Sequence, residues 1–257
     1  MNDIQAVVRR LQGPQDAPQA YCCMSEVPTP WPEAVCMCQD WVGQNLGKFV
    51  EGYHLQLSSG ETVGHLYYSP SERALFPYEV EAGVAILYCE WIQRRYQGQG
   101  LGKQLFTTFL NSMQQMGVKG ILVEGTDIEG QMHAWHYIGR GFKIIYNAGH
   151  THLLYLPLTQ VEVHFSPIKA RIRPYSKIPI EILIIKGYLC PYEVATQVLV
   201  RQVAGEFGPR VRIQEKWLSP QTLQQYGSTR GIFINGRQKL VGGESEEAIR
   251  QAILEEM

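Results

Sequence analysis

The segment Arg94-Arg95-Tyr96-Gln97-Gly98-Gln99-Gly100-Leu101-Gly102-Lys103 gathers the features that hold an anion. Glycines at 98, 100 and 102 let backbone N–H groups converge with no side chain in the way. A helix opening directly behind them adds partial positive charge, and the two together make a phosphate cradle. The segment is not a Walker loop, because the spacing and the Lys-Ser/Thr pair are missing. It is a poor dinucleotide fingerprint, because the strands before it read as an antiparallel meander. A second candidate is Glu90, which interrupts the apolar run 85–92. Burial there raises a carboxyl toward the range useful to a general base. A third is Cys190, at the end of an apolar strand and the start of a helix that Pro191 opens. A thiol at a helix N-terminus is lowered in pKa, although Glu193 one turn in works against that. His133, His136, His150 and His152 cluster in sequence and read first as satisfied surface or core residues.

These groups need elements to position them. Residues 31–46 read as a helix, with Pro32 suited to its first turn. Strands are expected at 53–57, 62–68 and 84–92, the first two joined by a Ser-Ser-Gly-Glu turn. Residues 99–116 form a helix, since Leu101, Leu105, Phe109, Met113 and Met116 recur on one face. Gly117 and Gly120 flank its end, where a left-handed residue is expected. A strand at 121–124, a helix around 131–138 and strands at 142–146 and 153–156 follow. The stretch 157–179 holds four prolines with Lys169, Arg171, Arg173 and Lys177. That density of proline suits an extended, solvated connector. Beyond it come a buried strand at 180–186, a helix from 191 to about 207 and a strand at 211–217. A short helix at 220–226, a hairpin turning at Asn235-Gly236 and a last helix at 244–257 complete the order. The division expected is therefore 1–158, a linker at 159–179, and 180–257.

Composition bounds the function. The chain has 257 residues, 45% apolar and 18% charged, with 23 basic and 24 acidic side chains and a net charge of −1. That excludes a disordered chain and gives no global attraction to nucleic acid or anionic membrane. The first residues carry no apolar core of a secretory signal, and a cytoplasmic location is expected. The six cysteines are too few for a disulfide scaffold and make no CxxC pair. Cys36-x-Cys38 with Cys22-Cys23 could hold a soft metal, but small buried thiols are the expectation, with no metal.

Arg95-Tyr96-Gln97-Gly98-Gln99-Gly100 resembles the Q/R-x-x-G-x-G/A motif of the GCN5-related N-acetyltransferase (GNAT) superfamily. The meander before it and the helix, strand, helix and strand after it follow that fold's order. His136-Tyr137-Ile138-Gly139-Arg140-Gly141-Phe142 is similar to the family's L-Y-x-x-x-G-F segment, with His136 in place of an apolar residue. The resemblance covers about 20–158. It implies a mixed α/β (α+β) fold with a largely antiparallel sheet, and acetyl-CoA as cosubstrate. The pyrophosphate would lie on Gln97, Gly98, Gln99, Gly100, Leu101, Gly102 and Lys103, with Arg95, Trp91 and Ile92 alongside. A main-chain N–H near the end of strand 84–92 would hold the oxyanion, where that strand splays from 121–124. Tyr137 would protonate the departing thiolate. Glu90, Glu124 or a chain of waters would take the amine proton. The acceptor would be a small-molecule amine or a protein lysine attacking directly, and a homodimer is open to such a protein.

The tail, in the order β-α-β-α-β-β-α with Cys190-Pro191-Tyr192 after its first strand, resembles the thioredoxin/glutaredoxin fold. Glu193 stands where the second cysteine would be, and Thr229-Arg230 where those proteins carry Thr-Pro. A dithiol cycle is thereby excluded. The pairing of the two domains resembles the YoaP-like acetyltransferases of bacteria. The alternative is a thiol-redox or soft-metal-handling protein that uses Cys190, with the first domain as a CoA-binding sensor.

Overall fold

The computed structural model describes residues 5–24, 31–127, 132–176 and 178–257. Two positions named above, Gln131 at the start of the expected third helix and Lys177 of the basic run, lie outside them. The chain divides into two compact units: Met1–Thr29, Val42–Ala74 and Val80–Phe165 in one, and Pro30–Trp41, Leu75–Glu79 and Ser166–Met257 in the other. The proline-rich seam is thus accompanied by two upstream stretches that cluster with the C-terminal segment, which contiguous sequence cannot reveal. Two short strands, β4 (Tyr78–Val80) and β9 (Phe165–Pro167), lie outside the two main sheets.

The first unit is built on a seven-stranded sheet. Its members in chain order are β1 (Ala6–Arg10), β2 (Glu51–Leu57), β3 (Thr62–Pro70), β5 (Val84–Ile92), β6 (Gly120–Thr126), β7 (Lys143–Ala148) and β8 (Thr151–Pro157). They lie in the spatial order β1-β2-β3-β5-β6-β8-β7. Every neighbouring pair is antiparallel except β5 and β6, which run parallel. β1 is not legible in the sequence, because its alternation is weak and Val7 is exposed. An ion pair from Arg10 to Glu51, and Leu11 N–H on Gly52 C=O at 3.0 Å, hold it in place.

Helix α1 (Pro32–Asn45) begins at Pro32, and α2 (Leu101–Gln115) begins after Gly100. On α2, Leu105, Phe109 and Met113 are fully buried against Tyr53, Leu66, Tyr68 and Leu87 of the sheet. Each such side chain contributes about 1.5–3 kcal/mol on burial, which fastens the glycine turn to the sheet. The left-handed residue after α2 is Gly117, at φ +71°. Gly120 sits instead within β6, where a Cβ would fall 2.3 Å from the ring of Tyr155. Helix α3 (Ala134–Ile138) is capped by His133, whose Nδ1 accepts from Trp135 N–H at 3.3 Å.

The second unit has a four-stranded sheet in the order β11-β10-β12-β13. These are β10 (Ile180–Lys186), β11 (Val211–Trp217), β12 (Ile232–Ile234) and β13 (Arg237–Leu240). β10 and β11 are parallel; β10 with β12, and β12 with β13, are antiparallel. Asn235 and Gly236 both take positive φ, 46° and 78°, as a type I′ hairpin turn requires. Helices α4 (Pro191–Glu206) and α6 (Glu246–Leu254) pack Val200, Val203, Ile249 and Ile253 on Ile182, Ile184 and Ile234. α5 (Pro220–Tyr226) is the short helix between β11 and β12. α6 starts later than its sequence pattern because Ser245 Oγ caps it, accepting from Ala248 N–H at 3.3 Å, and it ends at Leu254, short of the expected 257. Among the described residues, no helix is long and apolar enough to cross a membrane.

Candidate active site

The site grows from the one parallel pair in the first sheet. β5 and β6 are in register only from Val84 with Gly120 to Leu87 with Val123. Beyond that point β5 stays with β3, and β6 stays with β8. The register of β3 on β5 shifts between Tyr67, paired with Cys89, and Tyr68, paired with Leu87, which leaves Tyr88 as an extra residue. A bulge of this kind bends the strand and strengthens its twist. It lies where β5 parts from β6. The burial follows: Val84 to Leu87 are buried, whereas Tyr88, Cys89, Glu90 and Trp91 are partly accessible. No periodicity signals this bulge, since the apolar run continues through it.

The opening is lined with unusual main chain. Gln93 N–H bonds Val63 C=O at 2.9 Å, on the β3 side. Strand alternation then directs the N–H groups of Glu90 and Ile92 the other way, into the opening. At Glu90 the side chain is only 4% exposed although the residue as a whole is partly accessible, so the accessible surface there belongs to the main chain.

The glycine turn closes the same end of β5. A 3-10 turn at Arg94–Tyr96 leads into Gly98 (φ +74°) and Gly100 (φ +82°). An L side chain is strained at both, and a Cβ at either would meet nothing within 4 Å. The first intrahelical bond of α2 runs from Gln104 N–H to Gly100 C=O at 3.0 Å. The N–H groups of Leu101, Gly102 and Lys103 therefore precede the helix ladder. No acidic residue lies in the first turn and no side chain caps it. Side chains brace the turn from behind. Gln97 Nε2 donates to Ile92 C=O at 2.8 Å, and Gln99 Nε2 to Arg95 C=O at 3.0 Å. The guanidinium of Arg95 is ion-paired with Glu61, so here it tethers the turn to the β2–β3 hairpin.

Two of the expected side chains, Glu90 and Tyr137, lie on the α2 side of the opening or near it, with Arg140, which the sequence did not single out, beside Glu90. Glu90 accepts from Arg140 Nη1 at 2.5 Å, and the Arg140 guanidinium lies 4.4 Å over the Phe106 ring. Burial raises the Glu90 carboxyl above its usual range, and Arg140 restrains the rise. Tyr137 is fully buried, its hydroxyl donates to Met132 Sδ at 3.3 Å, and burial holds it protonated. Glu124 lies apart from these. Val123 and Leu154 pack in the core beneath α2, so Glu124, one residue on, faces the opposite side of the sheet. Trp91 is on that opposite side too, beside His65, and its indole Nε1 is buried with no hydrogen-bond partner among the described residues. Of the clustered histidines, His133 is a helix cap. His152 sits between Asn147 Oδ1 at 2.6 Å and Asp127 Oδ1 at 2.8 Å.

Cys190 behaves otherwise than its helix-terminal position predicts. It is the N-cap of α4, and Glu193 and Arg230 form an ion pair at 3.0 Å close by. Burial, with the Glu193 charge adding to it, pushes the thiol up to about 12. The helix dipole is outweighed because removing a thiolate from water costs more than a terminal partial charge returns. None of the six cysteines is in a disulfide. Among the described residues, no three His, Cys, Asp or Glu side chains gather as metal ligands.

Residues 20–142 match the sequence model of the Acetyltransferase (GNAT) family. Solved structures that the chain matches include a GNAT-family acetyltransferase from Desulfovibrio desulfuricans, 20% identical, with a TM-score of 0.47 over 60% of this chain and 99% of that one. The ribosomal-protein-S18-alanine N-acetyltransferase of Escherichia coli is 18% identical, with a TM-score of 0.44 over 62% and 97%. The GNAT acetyltransferase YhbS of Escherichia coli, solved with CoA, is 18% identical, with a TM-score of 0.45 over 61% and 83%. No curated protein matches the chain.

Proposed function

We propose that this chain, whose residues 20–142 match the model of the GNAT acetyltransferase family, is an N-acetyltransferase that carries its acetyl-CoA along the opening between β5 and β6 and delivers the acyl group to the amine of a small molecule or protein. The observation that carries this is the coincidence of two anion- and carbonyl-binding features at one end of β5. The glycine turn presents main-chain N–H groups at a helix N-terminus, with open space where Cβ atoms would stand. Beside it the strand turns further N–H groups into the opening. The residues fit the cosubstrate. Gly98 to Lys103 would hold its pyrophosphate, Ile92 and Trp91 border the arm, and the N–H of Glu90 or Ile92 would hold the oxyanion.

The carboxylates divide the remaining work. Glu90 is shielded and bound to Arg140, so it anchors that guanidinium beside Gly102, whose notional Cβ lies 3.7 Å from Arg140 Nη2. Glu124 is partly accessible on the other face, and we assign it the amine proton. Tyr137, protonated by burial, supplies the proton for the thiolate.

The tail is assigned a thioredoxin-like fold within a YoaP-like pairing, divided at 1–158, 159–179 and 180–257. The sheet order β11-β10-β12-β13, parallel once and antiparallel twice, supports that fold. The raised Cys190 thiol supports a binding module over a redox or metal-handling one. Calorimetric titration of the full chain with CoA, followed by acetyl-CoA turnover over a panel of amines, tests the proposal. Absence of CoA binding would overturn it. Glu124→Gln should lower turnover by about 10²–10⁴-fold with CoA affinity kept.

A further inference from the structure

On the face of the sheet opposite α2 lies a group of side chains that the transfer chemistry above does not use. His65 is fully buried on β3. Its two ring nitrogens meet two thiols: Nδ1 lies 3.2 Å from Cys22 Sγ, and Nε2 lies 3.4 Å from Cys89 Sγ. The ring stacks on Tyr67 at 4.7 Å between centroids, 11° from parallel, which fixes its orientation. Cys89 stands one residue past the bulge at Tyr88 and is partly accessible, in the stretch of β5 that β6 has left. Strand alternation puts the Cys89 side chain on the face opposite α2, next to the residue whose N–H we assign to the acyl oxygen. Two residues on, and on the same face, the buried Trp91 Nε1 is a donor with no partner among the described residues.

A nucleophile within reach of a base, with the base oriented by a third group, is the arrangement that activates thiols for acyl chemistry. We infer that Cys89, His65 and Cys22 form such a triad, and that Cys89 takes the acyl group from a thioester to become an S-acyl cysteine when no amine is present. The inference rests on the acetyl-CoA assignment of the opening. Burial keeps His65 neutral and pushes it down to about 3, so it is a weak base that accepts a hydrogen bond from a thiol and holds no standing imidazolium. With the proton on Nδ1 and directed at Cys22, Nε2 takes the Cys89 S–H proton only as the sulfur–carbon bond forms. The Cys89 sulfur bonds to the acyl carbon, the carbon–sulfur bond to CoA breaks, and the CoA thiolate takes the proton back from Nε2. One thioester replaces another, so no oxidant or further reactant is needed. The adduct fills the acceptor face and competes with the amine.

The test uses the full chain with acetyl-CoA and no amine. Acid quenching, intact mass and peptide mapping read the label, and neutral hydroxylamine distinguishes a thioester from an amide. The expected result is one hydroxylamine-labile acetyl group on Cys89, lost in Cys89→Ser and slowed several-fold in Cys22→Ser. A second readout needs no transfer: iodoacetamide should alkylate Cys89, and CoA should protect it. CoA binding with Cys89 neither labelled nor protected, or labelling confined to the exposed Cys36, would overturn the inference while leaving the acetyltransferase assignment standing. Absence of CoA binding would overturn both. Because His65 is buried and its replacement endangers folding, Cys22→Ser carries the test of the base.

Discussion

Arg140 and Glu90 are fifty residues apart in the chain, yet Nη1 of one lies 2.5 Å from Oε2 of the other, with side chains 17% and 4% exposed. The pair ties the turn after α3 to β5 beyond its bulge, at the level of the first turn of α2. A carboxylate this shielded survives only because a cation meets it.

Removing that cation should have a pH-dependent cost. The Glu90 carboxyl is raised by burial, so the folded state holds its proton more tightly than the unfolded chain does. Ionised Glu90 therefore lowers stability as pH rises through that range, and Arg140 offsets the loss. Arg140→Met should cost about 3–5 kcal/mol at neutral pH, and less at acid pH, where Glu90 takes up a proton. Urea melts over a series of pH values check this. An equal loss at every pH would mean that Arg140 acts only through its packing on Phe106.

The glycine turn makes a second prediction. Gly100→Val forces a β-branched residue to φ +82°, which costs about 1–2 kcal/mol, but the new Cβ meets no neighbour within 4 Å. The protein should fold with a modestly lower Tm. Its Kd for CoA should rise about tenfold or more, as expected for losing one or two hydrogen bonds to a charged group. A variant that binds CoA like the parent would remove the turn from the site.

Tyr137→Phe deletes one hydroxyl, now bonded to Met132 Sδ, and keeps the ring in the core. Turnover with the best amine of the panel should fall by about 10²–10⁴-fold while CoA affinity holds. Unchanged turnover would exclude Tyr137 as the acid.

The tail should lack disulfide reductase activity, and Cys190 should be slow to alkylate. With its thiol pushed up to about 12, it carries little thiolate near neutral pH and should lag well behind exposed Cys36. Glu193→Gln removes the charge that adds to the burial effect, so it should speed alkylation. Mass-spectrometric time courses with iodoacetamide rank the two thiols. Reaction of Cys190 ahead of Cys36 would contradict the raised thiol.

Local sequence was enough wherever the cause is local. Gly98 and Gly100 announce positive φ because only glycine adopts it without strain. Leu105, Phe109 and Met113 announce α2 because helical spacing places them on one buried face. Asn235-Gly236 announces its hairpin by the same logic of permitted dihedrals. The tertiary structure alone decided what depends on register between distant segments. The extra residue at Tyr88 shows only when β3 is laid against β5. The Arg140 partner of Glu90 shows only in the folded chain, and Cys190 looked thiolate-prone until the surrounding packing raised it. Cys89, His65 and Cys22, on a strand, its neighbour and an N-terminal turn, carry no common pattern in the sequence. Their meeting is set by strand pairing and by which face each side chain takes, and no window of neighbouring residues contains that information.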